Sequence, residues 1–426
     1  MFQRRFGAAF AVVALVAAAC GSAGASTAPT AGPTAGPTAQ PTVAATAGPI
    51  VIESIGAGEG ELNLIIWPGY AEDGSNVADY DWVHPFETKT GCVVKTRKVA
   101  GSSDEMVQLL KSGSGYDGVS ASGDATVRLI KDGAVAAVDV EKLFPEWKNF
   151  WGPMQSPPHN TIDGIHYGLS HGWGANLLMW NKDVVTTAPT SWSAVFATDP
   201  KPTYAGKVTA YAYPIYIADA ALYLAKADPS LVITDPYELT RAQFDASVAL
   251  LKQQHAKLIG KYWGAYGENI TDFEQGASVI GTTWPYQVTV LQAETPPINV
   301  DSILPSEGAT GWADTWMLST KAKHPNCMLM WMDWMSQPHT QQQVAEFFGE
   351  APANLAACPL MDSSPGSYGY NGNCAANHAS DAKFATQVQF WKTPLADCGD
   401  ARGVTCVDFS EWVTAWDAIL AVKPGS

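Results

Sequence analysis

The sequence predicts an α/β protein of two lobes, with parallel or mixed sheets flanked by helices. Two observations predict it. Residues 61–138 alternate short apolar runs with amphipathic segments in the order β-α-β-α-β, the pattern of a parallel sheet covered by helices. The chain from residue 51 onward is longer than one hydrophobic core usually organises, and its composition is globular, with 46% hydrophobic and 15% charged residues overall.

Glu61-Leu62-Asn63-Leu64-Ile65-Ile66-Trp67 reads as a buried strand, broken by Pro68-Gly69-Tyr70. Residues 83–90 read as a helix end, and Gly91-Cys92-Val93-Val94-Lys95 as the second strand. Residues 103–111 carry Asp104 and Glu105 in a first turn and Met106, Leu109 and Leu110 on one face, which predicts a capped amphipathic helix. A third strand follows at 116–119, a helix at 125–132 and a closing strand at 134–138. Ligands of such sheets sit outside the carboxyl ends of the strands, here Trp67, Pro68 and the loop 120–124. Beyond this unit, residues 162–168 read as a tight turn into a strand, and the run to Asn181-Lys182-Asp183 leads toward a second lobe. There, strands are expected at 207–211 and 276–284, the latter ending in Trp284, and helices at 190–196, 219–227 and 240–255. Further helices are expected at 325–335, 340–348 and 409–422.

Within the stretch 311–320, Trp312 and Asp314 are two residues apart. In an extended segment residues i and i+2 share a face, so an indole surface would lie beside a carboxylate. That pair suits a cation, which the ring attracts and the carboxylate neutralises. The net charge of −16 agrees with a cationic ligand and argues against nucleic acid, whose phosphates need a basic surface. Sixteen tryptophans suit either aromatic ligand walls or a Trp-rich core.

Arg4 and Arg5 precede the apolar run 7–19, which describes a secretory signal and is too short to span a bilayer. Ala17-Ala18-Ala19-Cys20 resembles a bacterial lipobox, with Ala at the position usually held by Leu. Residues 1–20 are therefore expected to be a lipoprotein signal peptide, with Cys20 lipidated at the outer face of the cell membrane. Residues 21–50 are nearly all Ala, Gly, Pro, Thr and Ser, the composition of a disordered tether. Six further cysteines in an exported chain imply disulfides. Short spacings favour Cys358–Cys374 and Cys398–Cys406, while Cys92 and Cys327 pair only if the fold brings them together. No cysteine, histidine or carboxylate cluster has metal-ligand spacing, and no cofactor motif is present. Gly168-Leu169-Ser170-His171-Gly172 fits GxSxG, but strand-like residues continue on both sides where a nucleophile elbow needs a turn and a helix.

Four segments together resemble the spermidine/putrescine-binding group of ABC-importer solute-binding lipoproteins. They are Leu64-Ile65-Ile66-Trp67 with Tyr70 and Phe86 through Gly91; Tyr116-Asp117 with Ser122; Gly164 through Gly168 continuing to Trp180-Asn181-Lys182-Asp183; and Glu307-Gly308 through Trp312-Ala313-Asp314 to Ala351-Pro352-Ala353-Asn354. The resemblance implies a periplasmic-binding-protein-like fold of type II with a ligand cleft between lobes. It implies lobe 1 at 51–173 and 311–350, and lobe 2 at 174–310 and 351–426, with crossings near Trp173, Thr310 and Glu350. It also implies a monomer without enzymatic activity that delivers a small amine to ABC permease subunits. Carried over by position, Trp312 would stack on the ligand and Asp314 pair with an amine, joined by Trp67, Ser122, Trp284 and Asp219. The chain departs from the group at Leu222, where a second acid is lost. It departs again at Asp124 and Glu350, which replace tyrosines, and at Lys392, which follows Trp391 where the group has a glutamine. A polyamine is the leading ligand. A shorter diamine, a zwitterion whose carboxylate meets Lys392, a sugar and ferric ion stay open, and a secreted serine hydrolase rests on GxSxG alone.

Overall fold

The computed structural model describes residues 48–113, 115–363, 374–398 and 403–425. The expected export signal with Cys20, and the expected tether as far as residue 47, lie outside the described residues. In chain order the strands are β1 (Val51–Ile52), β2 (Glu61–Ile66), β3 (Val93–Val99), β4 (Gly118–Ser122), β5 (Ala137–Val138), β6 (Thr161–Ile162), β7 (Ile165–His166) and β8 (Leu169–Ala175). They continue with β9 (Leu177–Asn181), β10 (Val208–Tyr211), β11 (Ile259–Trp263), β12 (Ile280–Thr283), β13 (Val300–Ile303), β14 (Ala309–Leu318), β15 (Ala351–Pro352) and β16 (Val388–Phe390).

Two large sheets result. The first runs β15-β8-β14-β4-β2-β3, with β16 also on β14, and the second runs β11-β10-β12-β9-β13. In the first, β2 pairs in parallel with β3 and β4, because the helices Val83–Thr90 and Ser103–Lys111 return the chain between them. The second of these helices starts as expected: the Ser102 side chain accepts from the Glu105 amide, and Asp104 and Glu105 occupy the first turn. Strand β3 alternates exposed and half-buried residues and carries Lys95, Arg97 and Lys98, a charged edge that discourages further strand addition. Strand β14 is buried at every position. One edge pairs with β8, and the other is shared by β16 at 309–311 and β4 at 314–318. A strand covered on all sides needs no polar alternation, which is why Ala309–Leu318 shows none.

Each sheet has its own core. Trp82, Trp173, Trp316 and Trp331 are fully buried on the first, and Trp192, Trp263, Trp412 and Trp416 on the second. With Trp151 on the first and Trp180, Trp312 and Trp391 on the second, twelve of the sixteen tryptophans are buried in these cores. The chain passes between the lobes at Asn176, between β8 and β9, and again along β14, where Ala309 and Trp312 pack in the second core and Ala313 and Trp316 in the first. The expected placement of 351–426 in the second lobe is corrected. β15 extends the first sheet on β8, β16 adds to β14, and Met361, Cys374 and Ala379 bury in the first core. Only from Trp391 does the tail join the second core, so the third crossing lies near 391 and not at Glu350.

All six described cysteines are bridged, as Cys92–Cys327, Cys358–Cys374 and Cys398–Cys406. Cys92 and Cys327, left without a spacing argument, are joined because Cys92 precedes β3 and Cys327 opens the helix Pro325–Ser336 packed over the same core. Their separation of 235 positions makes this the largest loop closed, about 5 kcal/mol in the chain-entropy account. Ser170 lies inside the uninterrupted strand β8. Its hydroxyl donates to the Met154 carbonyl at 2.7 Å and accepts from Asn160, so it is a buried structural residue and forms no elbow.

Candidate ligand cleft

The carboxyl ends of the parallel strands in both sheets converge on one cavity. Trp67 follows β2, Ser122 ends β4, and Tyr213, Tyr266 and Tyr286 come two or three residues after β10, β11 and β12. The cavity has a volume of about 130 Å³. An apolar cavity of ~150 Å³ on the same scale holds a benzene-sized body.

The first-lobe wall carries the charge. Trp67-Pro68-Gly69-Tyr70 closes a turn through a Tyr70 amide to Trp67 carbonyl bond of 3.2 Å. Gly69 takes φ +82°, which its position after Pro68 requires in a type II turn. The turn places the Tyr70 hydroxyl on Asp314 Oδ2 at 2.5 Å, and Ser122 donates to Oδ1 at 2.5 Å. Asp314 stands opposite Ser122 across the β14–β4 ladder, so register alone brings that pair together. Asp124, in the first turn of the helix Gly123–Lys131, accepts from the Ser103 hydroxyl at 2.8 Å. Burial pushes both carboxyls up to about 6, against the hydroxyl bonds that favour the ionised form, and the charge of Asp124 adds to the rise at Asp314.

Much of the rest of the cavity is ring surface. Trp67, Trp284, Trp312 and Trp391 line it with Tyr213, Tyr266, Tyr286 and Phe348. Trp312 lies against Gly174, where any side chain would collide with the indole at 2.7 Å, and meets Trp284 edge-on at 6.2 Å. The indole nitrogens of Trp67, Trp312 and Trp391 are buried without a partner among the described residues, and that of Trp284 donates to Asn176 at 2.9 Å. The Tyr213 hydroxyl donates to the Gly264 carbonyl.

Of the residues expected at the site, Trp67, Ser122, Asp124, Trp284, Trp312 and Asp314 line this cavity; Asp219, Glu350 and Lys392 do not. Asp219 is buried behind the second-lobe wall, where it accepts from the hydroxyls of Tyr211 and Thr310. Thr310 in turn accepts from Asn176 at 2.6 Å, so Asp219 belongs to a network that laces the two crossings together. Burial raises its carboxyl to about 7. Lys392 turns away to Asp235 and Glu238, at 2.7 and 2.5 Å, and gives a ligand carboxylate no partner in the cavity. Glu350 lies beneath the cavity against Gly172, with His171 Nε2 at 3.9 Å. Trp316 donates to His171 Nδ1 at 3.0 Å, and burial lowers the imidazole to about 3, so His171 is neutral with its proton toward Glu350. Burial, then the Asp314 charge, raise Glu350 well above the usual carboxylate range. The sequence reading of the site omitted Tyr70, Tyr213, Tyr266, Tyr286, Phe348 and Trp391. No group of three or more metal-ligating side chains occurs among the described residues.

Residues 81–364 match the family described as bacterial extracellular solute-binding protein. The putrescine/cadaverine-binding protein of Pseudomonas aeruginosa is 24% identical over 311 residues, 71% of this chain and 81% of that one. The spermidine/putrescine-binding periplasmic protein of Escherichia coli is 26% identical over 320 residues, 71% of this chain and 84% of that one. Among solved structures, a spermidine/putrescine ABC transporter substrate-binding protein of Streptococcus pneumoniae superposes with a TM-score of 0.63 at 15% identity, covering 85% of this chain and 97% of that one. That likeness establishes the two-lobed, type II periplasmic-binding-protein fold.

Proposed function

The chain belongs to the bacterial extracellular solute-binding proteins, binding proteins and not enzymes, and on that premise we propose that it captures a small amine-bearing cation between its lobes. The captured solute passes to the transmembrane subunits of an ABC importer. The observation that carries the reading is the pair of buried carboxyls, Asp124 and Asp314, in a cavity lined largely by rings. A cation replaces lost hydration there with ring faces and a counter-charge. The relatives named for putrescine, cadaverine and spermidine make a polyamine the leading solute. A sugar is disfavoured by hydroxyls that already bond Asp314, Asp124 and Gly264. Ferric ion is disfavoured because the Tyr70 and Tyr213 hydroxyls are already engaged by Asp314 and Gly264 and no group of three or more His, Cys, Asp or Glu side chains that could hold a metal occurs among the described residues, and Lys392 does not serve a zwitterion.

Anchoring through Cys20, with residues 21–50 as tether and the domain acting as a monomer, completes the proposal. Ala17-Ala18-Ala19-Cys20 and the composition that follows support it. No helix among the described residues is long and apolar enough to cross a membrane. The test is thermal denaturation with putrescine, spermidine and glucose. Ligand at about 100 times Kd stabilises by about 2.7 kcal/mol. The amines should raise the melting temperature and glucose should leave it in place; a shift with glucose alone would reverse the assignment.

A further inference from the structure

The charge in the cleft is confined to one wall. Both cavity carboxyls, Asp124 and Asp314, come from the first lobe. The second lobe contributes rings and backbone. Its Asp219 is held behind the wall by Tyr211 and Thr310, and Leu222 supplies no acid. Glu268, two residues past the lining Tyr266, is exposed and directs Oε2 to the amides of Gly264 and Ala265. A second positive charge at the far end of a ligand would meet rings with no cavity carboxylate.

Hydrogen bonding is limited as well. A primary ammonium must satisfy three N–H donors when it leaves water, and burying one unsatisfied is costly. Each oxygen of Asp314 already accepts a hydroxyl at 2.5 Å and Asp124 Oδ1 accepts Ser103, so one lone pair on each of these oxygens and Asp124 Oδ2 are what the two carboxyls keep for a ligand's N–H groups. Much of the remaining lining is ring face. An ammonium whose hydrogens are replaced by methyl groups needs no acceptor, loses less hydration and spreads its charge over those faces. The benzene-sized cavity matches a short cation of that kind.

We propose that the cleft reads a single positive charge and takes methylated ammonium monocations. This rests on the cation-binding function above and specifies it. Putrescine remains a ligand, held by one end, and its second ammonium adds no affinity.

Calorimetric titration of the protein with tetramethylammonium, choline, methylammonium and putrescine decides the matter. Choline or tetramethylammonium should bind at least as tightly as putrescine, and tetramethylammonium at least about tenfold more tightly than methylammonium. Trp67→Leu keeps apolar bulk but removes the ring quadrupole; because Trp67 is half-buried and packs against two core clusters, its melting curve should fall somewhat, and binding is compared at a temperature where both proteins are folded. It should weaken tetramethylammonium about tenfold, ~1.4 kcal/mol and within the range of one ring face. Putrescine binding about tenfold or more tighter than both methylated cations would overturn the inference and leave the cation reading standing. A Trp67→Leu loss under about twofold would also overturn it, since shape and not the ring face would then hold the ligand. Failure of every cation to bind would remove both the inference and the reading beneath it.

Discussion

The two walls of the cleft are built from the same architectural plan and carry opposite chemistry. Each presents the carboxyl ends of parallel strands, β2 and β4 on one side and β10, β11 and β12 on the other. On the first wall those ends deliver Ser122, Asp124 and, across the ladder, Asp314. On the second they deliver Tyr213, Tyr266, Trp284 and Tyr286. Topology therefore decides where a ligand sits, and the first three residues after each strand decide what it is. Acids are present in both lobes; the difference is that Asp219 is occupied at the crossings while Asp314 faces the cavity.

Removing the charge from the first wall is the strongest way to break the contrast. Asp314→Asn should cost about 2–5 kcal/mol of binding, roughly 30-fold to a few thousandfold in Kd for the best cation, measured by calorimetry. A loss within about threefold would show that the wall's charge is irrelevant. Acid should imitate the substitution in part. Asp314 and Asp124 both titrate at about 6 in the free protein, so a cation favours their ionised forms and displaces protons. With a permanently charged probe such as choline, affinity should rise about tenfold between pH 5 and 8 and level off above 7. His159 and His171, lowered to about 4 and about 3, stay neutral throughout and do not contribute. The dependence should flatten in Asp314→Asn.

The smallest effect on binding is expected from the second-lobe acid. Asp219→Ala should leave Kd within about threefold. It strands the hydroxyls of Tyr211 and Thr310, and so should destabilise the protein by about 1–3 kcal/mol in denaturant titration. An Asp219→Ala protein with native stability and lost binding would move this acid into the cleft and erase the difference between the walls.

What sequence could reveal followed the same division. The strand-helix alternation, the extended Trp312-Ala313-Asp314 and the position of Trp67 are local patterns, and the structure keeps each of them. Tyr213, Tyr266 and Tyr286 were reachable in principle, because the rule that ligands gather at strand carboxyl ends applies to β10, β11 and β12 as much as to β2. Asp219, Glu350 and Lys392 were not separable from cavity residues, since their roles depend on partners 91, 179 and 154 positions away, respectively at Thr310, His171 and Glu238. The lobe assignment of 351–390 failed for a related reason: β15 and β16 are two and three residues long, and their place is set by the open edges of β8 and β14.

A lever travels least at its fulcrum. Strand β14 threads both cores and carries Trp312 and Asp314 between them, and the hydroxyls that orient Asp314, from Tyr70 and Ser122, belong to the lobe that Asp314 itself joins. Any swing of one sheet against the other about β14 leaves this seat assembled while the exposed Gly264-Ala265 turn sweeps the longer arc. A protein built this way would hold its counter-charge ready before a solute arrives.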